Sequence, residues 1–431
     1  MVSRLAFCNS TSSSVLSYSL FNPAYNTIGY GTYDAYGVQQ NENMMIGIIG
    51  APNKGKSTLF SALTMHEVPI ANRPFTTINP NFGVTYVSRE CPEKRLHVRC
   101  NPKNSTCVDG VRRIPINIVD VAGLVEGAHE GRGMGNKFLN DLAAADAFIL
   151  VVDGSGKTDP EGNPCEGCDP AKDVEMVERE LWEWISGILE KHSDQISKRQ
   201  DGVDAISEVL SGMKIKRDQV EAALNGANIP SGFFTPNHDD RIAFSRELLA
   251  ESKPVVVAFN KLDDPNASAN YKKFNVHEKS VPCSAAVEFA MRKAEKNGLM
   301  RTNPNGSVET SGNPSDDQMN AISYIKRFLA EHKTTNVQEL INKTVFEALD
   351  SIVVYPVEDE NKYTDHFGNV LPDAILLRKG STALDLAAQI HTDLAKGMIY
   401  AVDAISKKKL SKDYVLNDGD VIRIVSSSKP K

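Results

Sequence analysis

Residues 45–64 read MIGIIGAPNKGKSTLFSALT, and this segment predicts a strand, a turn and a helix in that order. Met45 to Gly50 is a short apolar run that ends in glycine, and Leu59 to Leu63 begins a helical pattern. Further buried-strand candidates, with helical stretches between them, follow at residues 82–87, 114–120, 147–153 and 254–260. Buried strands that alternate with helices are typical of a mostly parallel α/β sheet covered on both faces, and we expect this fold class.

Between residues 157 and 253 the pattern changes to amphipathic helices. Val174, Val177 and Leu181 recur at three- and four-residue steps, as on the apolar face of a long helix. Shorter helical patterns follow at residues 203–213, 219–224 and 241–249. We therefore expect a helical insertion, residues 157–253, inside an α/β domain that spans residues 44–350.

The pattern changes again over residues 351–431. Strand candidates lie at residues 352–357, 374–378, 400–402 and 421–425, with a helix at 384–394. This order of strand, strand, helix, strand, strand predicts a small β-grasp domain. Upstream of it, the segment 303–314 is rich in Gly, Asn, Pro and Ser, and we expect a mobile loop there.

Composition excludes several classes of protein. Of 431 residues, 48 are Lys or Arg and 55 are Asp or Glu, so the formal net charge is −7. Such a chain does not coat nucleic acid through bulk positive charge, and any RNA contact has to come from a local patch. The longest apolar runs, residues 147–152 and 255–259, are far shorter than the roughly 20 residues that cross a bilayer, so we expect no membrane partner.

Cysteine usage and the first residues bear on location. Seven cysteines are a sparse, odd number that does not match a secreted disulfide framework, so we expect a cytoplasmic protein. Residues 1–43 are rich in Ser, Asn and Tyr and contain no continuous apolar core of a secretory signal. We expect a disordered tail there, or a start assigned too far upstream of Met44.

The segment from Gly50 to Ser57 fits the phosphate-loop pattern, and it follows a strand and opens a helix, as that loop must. Glycines at both ends let backbone N–H groups turn toward an anion, Lys56 reaches the β- and γ-phosphates, and Ser57 can ligate Mg²⁺. A glycine-rich turn without a ligand is the alternative. We expect a nucleotide to be bound by Gly50, Asn53, Lys54, Gly55, Lys56, Ser57 and Thr58.

Further residues are placed to act on the γ-phosphate and its metal. Asp120 ends a strand, where a carboxylate holds Mg²⁺ through water, and Gly123 brings its N–H to the γ-phosphate. Thr76 or Thr77, in a loop before the second strand, would add a hydroxyl to Mg²⁺, although a plain polar loop is the alternative. The predicted metal ligands are therefore Ser57, Thr76, Thr77 and Asp120, and the predicted catalytic residues are Lys56, Thr77 and Gly123.

Four glycines between residues 127 and 135 make a backbone that can rearrange when the phosphate leaves, so this segment predicts a second switch. In Ras-like enzymes a Gln directly after the conserved glycine orients the attacking water. Here Leu124 occupies that position. The usual water-orienting side chain is therefore missing.

The sequence Asn260-Lys261-Leu262-Asp263 follows an apolar strand and has the chemistry of guanine recognition. The Asp263 carboxylate can accept hydrogen bonds from guanine N1–H and the 2-amino group, which adenine does not offer. The segment Ser284-Ala285-Ala286 could donate a backbone N–H to guanine O6, and a helix N-cap at Ser284 is an equal alternative. We expect GTP and GDP as the bound nucleotides, with ATP as the alternative.

These motifs, in this order and spacing, resemble GTPases of the Obg family. Residues 72–77 and 120–136 are similar to its YchF, or Obg-like ATPase, subfamily in the archaeal branch, and residues 371–425 resemble a TGS domain. The resemblance covers the chain from about Met44 to its end. It implies a Ras-like P-loop G domain with a helical insertion, nucleotide hydrolysis, and association with the ribosome or a ribosomal subunit.

The same resemblance sharpens three expectations. Some subfamily members prefer ATP because their Asn-Lys-x-Asp motif is altered, whereas Asn260, Lys261 and Asp263 are intact here. Asn53 stands where related GTPases use an Asn to help bind K⁺, and the alternative is that it only stabilises the loop. Lys54 replaces the apolar residue that is usual before the second glycine.

Two weaker patterns remain. Five cysteines could supply thiolates to Zn²⁺, but their spacing is not that of a zinc ribbon, and ordinary thiols are favoured at Cys91, Cys100, Cys107, Cys165 and Cys168. A basic stretch of the C-terminal domain could touch RNA phosphates, or be a solvated strand edge, at Lys407, Lys408, Lys409 and Lys412.

The leading hypothesis is a GTP-hydrolysing switch whose insertion and TGS domain contact ribosomal RNA or protein. An ATPase of the same fold, or a nucleotide-gated RNA-binding module with incidental hydrolysis, is the alternative.

Overall fold

The computed structural model describes residues 44–65, 82–121, 123–127, 142–199, 201–230, 237–274, 279–303 and 306–427. The predicted N-terminal tail, Thr76, Thr77 and most of the second switch segment lie outside these residues.

A seven-stranded sheet forms the centre of the G domain. Its strands are β1 (Met45–Ile49), β2 (Phe82–Glu90), β3 (Thr106–Val108), β4 (Val111–Asp120), β5 (Ala147–Asp153), β6 (Val255–Asn260) and β7 (Ser280–Pro282). The order is β2-β4-β1-β5-β6-β7, and β3 pairs with β4. Strands β4, β1, β5, β6 and β7 are parallel, and β2 runs antiparallel to β4. The expected mostly parallel α/β sheet is confirmed.

The expectation of a helical stretch between every pair of strands is wrong for β2 and β4. Helix α2 (Glu93–Leu96) has one turn, and an irregular stretch then leads into the β3–β4 hairpin. Asp109 and Gly110 join these strands with φ angles of 52° and 75°. Two consecutive positive φ angles at Asp-Gly are the conformation that closes a tight hairpin.

Helices cover both faces of the sheet, as expected. Helix α1 (Lys56–Thr64) follows β1. The insertion contains α3 (Ala171–Lys191), α4 (Ser193–Ser197), α5 (Gly202–Val209), a 3₁₀ turn (Ser211–Met213), α6 (Arg217–Gly226) and α7 (His238–Ser252). Val174, Val177 and Leu181 of α3 are buried, as their spacing predicts. Among the described helices, none has an apolar stretch long enough to cross a membrane.

The remainder of the G domain contains α8 (Ala267–Lys273), α9 (Ala285–Lys296), β8 (Met300–Thr302), β9 (Val308–Thr310), α10 (Asp316–His332), α11 (Val337–Lys343) and a π-helical turn (Thr344–Ala348). The expected loop over residues 303–314 is partly wrong, because β8 and β9 pair as a hairpin with Met300 opposite Thr310. Each strand has three residues, which is too short to show an alternating pattern in the sequence.

The C-terminal sheet has the expected β-grasp arrangement. It contains β10 (Ser351–Val357), β11 (Ile375–Arg378), α12 (Ala383–Ile390), α13 (Thr392–Lys396), β12 (Met398–Asp403), β13 (Lys409–Leu410) and β14 (Val421–Ser426). The strand order is β11-β10-β14-β12-β13, with β10 parallel to β14. Strand β10 alternates between two cores: Val353 and Tyr355 pack with the G domain, while Ile352 and Val354 pack with α12.

Candidate functional site

The segment between β1 and α1 has the backbone of a phosphate loop. Gly50 has φ 140°, and a Cβ there would lie 2.5 Å from Val151 O. Gly55 has φ 98°, and its Cβ would lie 2.3 Å from Asn260 Nδ2. Any side chain would therefore strain or displace the loop at either position. Gly55 is the N-cap of α1 and places no side chain over the first amides of that helix, which leaves them able to bind an anion.

Lys56 and Gly123 lie together beside this loop. Lys56 Nζ donates a hydrogen bond to Ala51 O at 2.8 Å. Burial lowers the pKa of Lys56, and the neighbouring Asp120 carboxylate partly offsets this. A Cβ on Gly123 would lie 3.2 Å from Lys56 Nζ, so the absence of a side chain lets the backbone approach the ammonium group. An anion beside Lys56 Nζ would meet both groups.

Ser57 and Asp120 form a pair of oxygen donors next to the loop. Ser57 Oγ donates to Asp120 Oδ2 at 3.0 Å. The other carboxylate oxygen, Asp120 Oδ1, is buried and has no hydrogen-bond partner among the described residues. Burial raises the pKa of Asp120, so the ionised carboxylate is stabilised by a nearby cation. This donor set fits Mg²⁺, which prefers hard oxygen ligands.

Asn260 joins the phosphate loop to the start of α9. Its Nδ2 donates to Lys54 O at 2.9 Å, and its Oδ1 accepts from Ala285 N at 3.0 Å. The Ala285 amide is therefore already bonded within the protein. Ala286 follows Ala285 in the first turn of α9.

Asp263 is held by Ser284. Ser284 Oγ donates to Asp263 Oδ1 at 2.5 Å and also accepts from Val287 N at 3.2 Å. The N-cap alternative for Ser284 is therefore confirmed, and the same hydroxyl orients Asp263. Among the described residues, no donor is bonded to Asp263 Oδ2, which is the oxygen left to accept from a ligand.

Lys261 is fixed by Asp153, a residue that the sequence analysis missed. Lys261 Nζ lies 2.9 Å from Asp153 Oδ2 and 3.2 Å from Asn53 O. Burial opposes ionisation of Asp153, but hydrogen bonds from Lys261, Ser155 and Thr158 outweigh it and lower its pKa. Asp153 ends a buried strand without belonging to a recognisable motif, although its position at a strand end was a usable signal.

The side chain of Lys54 faces away from the phosphate loop. It is fully buried, and its Nζ lies 2.9 Å from Asp173 Oδ2. It also donates to Thr158 Oγ1 at 2.9 Å and Asp159 O at 2.8 Å. Its side chain therefore connects the loop to the start of the insertion, and only its main chain faces the site.

Asn53 and the second switch segment also contact the insertion. Asn53 Nδ2 donates to Gly162 O at 2.9 Å. Leu124 is buried, and its N–H donates to Gly50 O at 3.1 Å. Gly127 N–H donates to Glu180 Oε1 of α3 at 2.8 Å. The described part of the switch segment thus bridges the phosphate loop and the longest helix of the insertion.

Three family models match the chain. The model described as "50S ribosome-binding GTPase" matches residues 45–195. That described as "Obg-like GTPase YGR210-like, G4 motif-containing domain" matches residues 258–359, and the TGS domain model matches residues 367–426. Together they cover the phosphate loop, the Asn-Lys-x-Asp motif and the C-terminal sheet.

Several proteins are similar over nearly their whole length. A GTP-binding protein of Methanocaldococcus jannaschii is 48% identical over 393 residues, which are 89% of this chain and 100% of that protein. The crystal structure of a GTP-binding protein from Pyrococcus horikoshii superposes with a TM-score of 0.72 at 38% identity, over 89% of this chain and 100% of that one. The ribosome-binding ATPase YchF of Bacillus subtilis is 28% identical over 404 residues, 87% of this chain and 97% of that protein.

Proposed function

Because this chain belongs to the YchF, or Obg-like, family of P-loop GTPases, we propose that it is a GTP-hydrolysing molecular switch that works on the ribosome. Three contacts together carry the proposal: Ser57 bonds Asp120 beside the phosphate loop, Asn260 bonds Lys54 O of that loop, and Ser284 orients Asp263. In this proposal residues 44–350 are the GTPase domain, with the insertion at 157–253, and residues 351–431 are the TGS domain. A cytoplasmic location follows from the ribosomal partner.

In this proposal each residue of the site has a separate role in hydrolysis of the γ-phosphate. When bound, Mg²⁺ neutralises charge on the β- and γ-phosphates. Ser57 would ligate it directly, Asp120 would hold it through water, and Thr76 or Thr77 would complete the set. Lys56 leaves Ala51 O to stabilise the charge that spreads over the γ-phosphate, and Gly123 adds its N–H. Leu124 offers no hydrogen bond to the attacking water, so turnover should be slow without a partner.

Asp263 decides between GTP and ATP in this proposal. A site built to bond guanine N1–H and the 2-amino group leaves the half-buried Asp263 carboxylate without these donors when adenine binds, which costs up to roughly 10⁴-fold in affinity. Calorimetric titration with GTP and with ATP, both with excess Mg²⁺, measures the ratio. Equal affinities, or tighter ATP binding, would favour the ATPase alternative, which is the activity in the name of the Bacillus relative.

The first mutational prediction concerns the same carboxylate. Asp263→Asn should weaken GTP binding at least about 100-fold and restore binding of the xanthine nucleotide, whose 2-oxo group accepts where guanine donates. Asp264→Asn is the matched control, because Asp264 pairs with Lys157 and not with Ser284. If both variants bind GTP alike, Asp263 does not read the base.

The ribosomal part of the proposal rests on the family and on the basic stretch of the TGS domain. Two of its lysines are held against aromatic rings: Lys407 Nζ lies 5.1 Å from the Tyr363 ring centre, and Lys409 Nζ 3.9 Å from that of Tyr400. Sedimentation with ribosomal particles in GDP, a GTP analogue and ATP tests it. If Lys56→Ala associates equally in every nucleotide state, the alternative of an RNA-binding module with incidental hydrolysis is favoured.

Potassium activation is a separate part of the proposal. Asn53 Nδ2 is bonded to Gly162 O, which supports the loop-stabilising alternative, and its Oδ1 is the atom that would ligate K⁺. Initial hydrolysis rates in KCl and in NaCl distinguish the two. A rate that rises in KCl and falls to the NaCl level in Asn53→Ala assigns K⁺ to this residue, whereas equal rates leave Asn53 with its loop contact alone.

A further inference from the structure

Three cysteines and a glutamate converge at the β2–β4 edge of the G domain, outside the nucleotide site. Cys91 follows β2, Glu93 opens α2, Cys100 lies in the irregular stretch after it, and Cys107 is in β3. One ligand atom from each lies within 4.8 Å of all the others. Segments that are separate in sequence therefore bring four potential metal ligands to one point.

Two distances between these ligand atoms match the edges of a tetrahedron around a single ion. With Zn–S near 2.3 Å and Zn–O near 2.0–2.2 Å, ideal tetrahedral edges are about 3.8 Å between sulfurs and about 3.5 Å between sulfur and oxygen. Cys91 Sγ and Cys100 Sγ are 3.9 Å apart, and Cys107 Sγ is 3.4 Å from Glu93 Oε1. A disulfide would need sulfurs about 2.05 Å apart.

We propose that Cys91, Glu93, Cys100 and Cys107 form a structural Zn²⁺ site that fixes the docking surface of the C-terminal domain. The proposal takes the zinc alternative over the expectation of ordinary thiols at these three cysteines. The expectation of ordinary thiols is wrong for Cys165 and Cys168, which lie outside this cluster and are joined by a disulfide with their Cα atoms 6.2 Å apart.

The surroundings orient and balance such a site. Glu93 Oε2 accepts from Cys100 N at 2.9 Å, which leaves Oε1 toward the sulfurs. Arg112 is paired with Cys107 across the β3–β4 hairpin and is fully buried, yet no carboxylate lies within 4 Å of it among the described residues. Among the described residues, Arg112 Nε also has no hydrogen-bond partner. Three thiolates and a carboxylate around Zn²⁺ keep net negative charge, which compensates this guanidinium.

The irregular stretch that contains Cys100 is hydrogen-bonded to the C-terminal domain. Asn101 N donates to Val370 O at 2.8 Å, and Lys103 N donates to Pro372 O at 2.7 Å. Asn104 exchanges two hydrogen bonds with Ala374, each at 3.0 Å. Residues 98–105 contain no helix or strand of their own, so a metal cross-link is what would hold these donors in register.

One of the proposed ligands, Cys91, lies at a groove between the two domains. A groove of about 580 Å³ opens between the two domains and is lined in part by Cys91, Pro92 and Tyr355. Cys91 itself is almost wholly buried, while Cys100 and Cys107 are half-buried.

Metal analysis tests the site directly. The full chain, incubated with Zn²⁺ and dialysed, should retain one zinc per chain by plasma mass spectrometry, and the double variant C100S/C107S should retain at least tenfold less. Cys283→Ser is the matched control, because Cys283 is a buried free cysteine outside the cluster, and it should keep the full amount. A native chain without zinc, a native chain holding iron instead, or a double variant with native zinc content would overturn the proposal.

Two measurements on the native chain keep the proposal testable if the double variant fails to fold. Co²⁺ in place of Zn²⁺ should give thiolate charge-transfer absorption and the intense visible bands of tetrahedral coordination, and their absence would refute thiolate ligation. Removal of the metal by a chelator should speed amide hydrogen exchange in residues 98–105 and 369–374 at least tenfold. Unchanged exchange there would refute the role in docking, whatever the metal content.

Discussion

At the scale of single residues, the most unusual feature is a lysine of the phosphate loop whose side chain is buried against the insertion. Lys54 is fully buried and pairs with Asp173 at the start of the insertion helix α3. A buried pair is not strongly stabilising in itself, because both charges lose their hydration. Removing one partner is costly, since the other charge stays buried without compensation.

We therefore predict that Asp173→Leu lowers the free energy of unfolding by about 3–5 kcal/mol, and that adding Lys54→Met restores most of it. Urea denaturation of the nucleotide-free chain measures both changes. Glu126→Gln breaks a pair with Arg179 in which both side chains are mostly exposed, and it should cost no more than about 1 kcal/mol. An Asp173→Leu variant as stable as the Glu126→Gln control would contradict this account.

The motif residues and their partners differ in how far sequence could identify them. Lys56, Asp120 and Asn260 each follow or end a buried strand, and parallel strands bring their carboxyl ends to one edge of a sheet, so their meeting could be predicted. The lysine partners of Asp153 and Asp173 could not be assigned, because nothing in the sequence says which lysine a distant carboxylate will contact. For Lys54, the only signal in the sequence is that a charged residue occupies a position of the phosphate loop that is normally apolar.

At the scale of elements, α3 is a helix of the insertion that contacts the nucleotide site. Its Asp173 binds Lys54 of the phosphate loop, and its Glu180 accepts from Gly127 N–H of the second switch segment. Glu180 is almost fully buried. We therefore expect a change in the switch backbone to reach α3 through this buried hydrogen bond.

We predict that Glu180→Ala releases this end of the switch segment. A hydrogen bond to a charged acceptor contributes about 1.5–3 kcal/mol, so the Gly127 amide should exchange roughly 10- to 100-fold faster with solvent deuterium. The difference in exchange along α3 between the GDP and GTP-analogue states should shrink as well. Glu175→Ala, at an exposed position of the same helix, should change neither.

If Glu175→Ala produces both effects, or if Glu180→Ala produces neither, α3 does not sense the nucleotide state through this hydrogen bond.

The location of α3 was predictable from its apolar spacing. Its contact with the switch was not, because a buried Glu on an amphipathic helix resembles a solvated one until the facing N–H is known. The β3–β4 hairpin could not be predicted for a different reason: strand β3 has three residues and is too short to show an alternating pattern.

At the scale of the whole molecule, the G domain and the C-terminal domain share one core. Val353, Tyr355 and Val421 of the C-terminal sheet pack in the same cluster as Ile114 and Ile116 of β4. Arg112 Nη2 donates to Leu371 O at 2.7 Å across this boundary. The alternation along β10 is what allows one strand to serve both sides.

This sharing predicts that a chain ending at residue 350 loses stability in the part that it retains. Removing β10 uncovers the apolar side chains that Val353 and Tyr355 bury, at about 1.5–3 kcal/mol for each fully buried side chain, and it leaves Arg112 without Leu371 O. Thermal unfolding followed by circular dichroism, together with binding of a fluorescent GDP, should show an earlier transition and weaker binding than in a control chain ending at Ser427. A shortened chain with the full-length transition temperature would mean that the two domains are independent, and that the cluster joining them adds nothing to the stability of the nucleotide site.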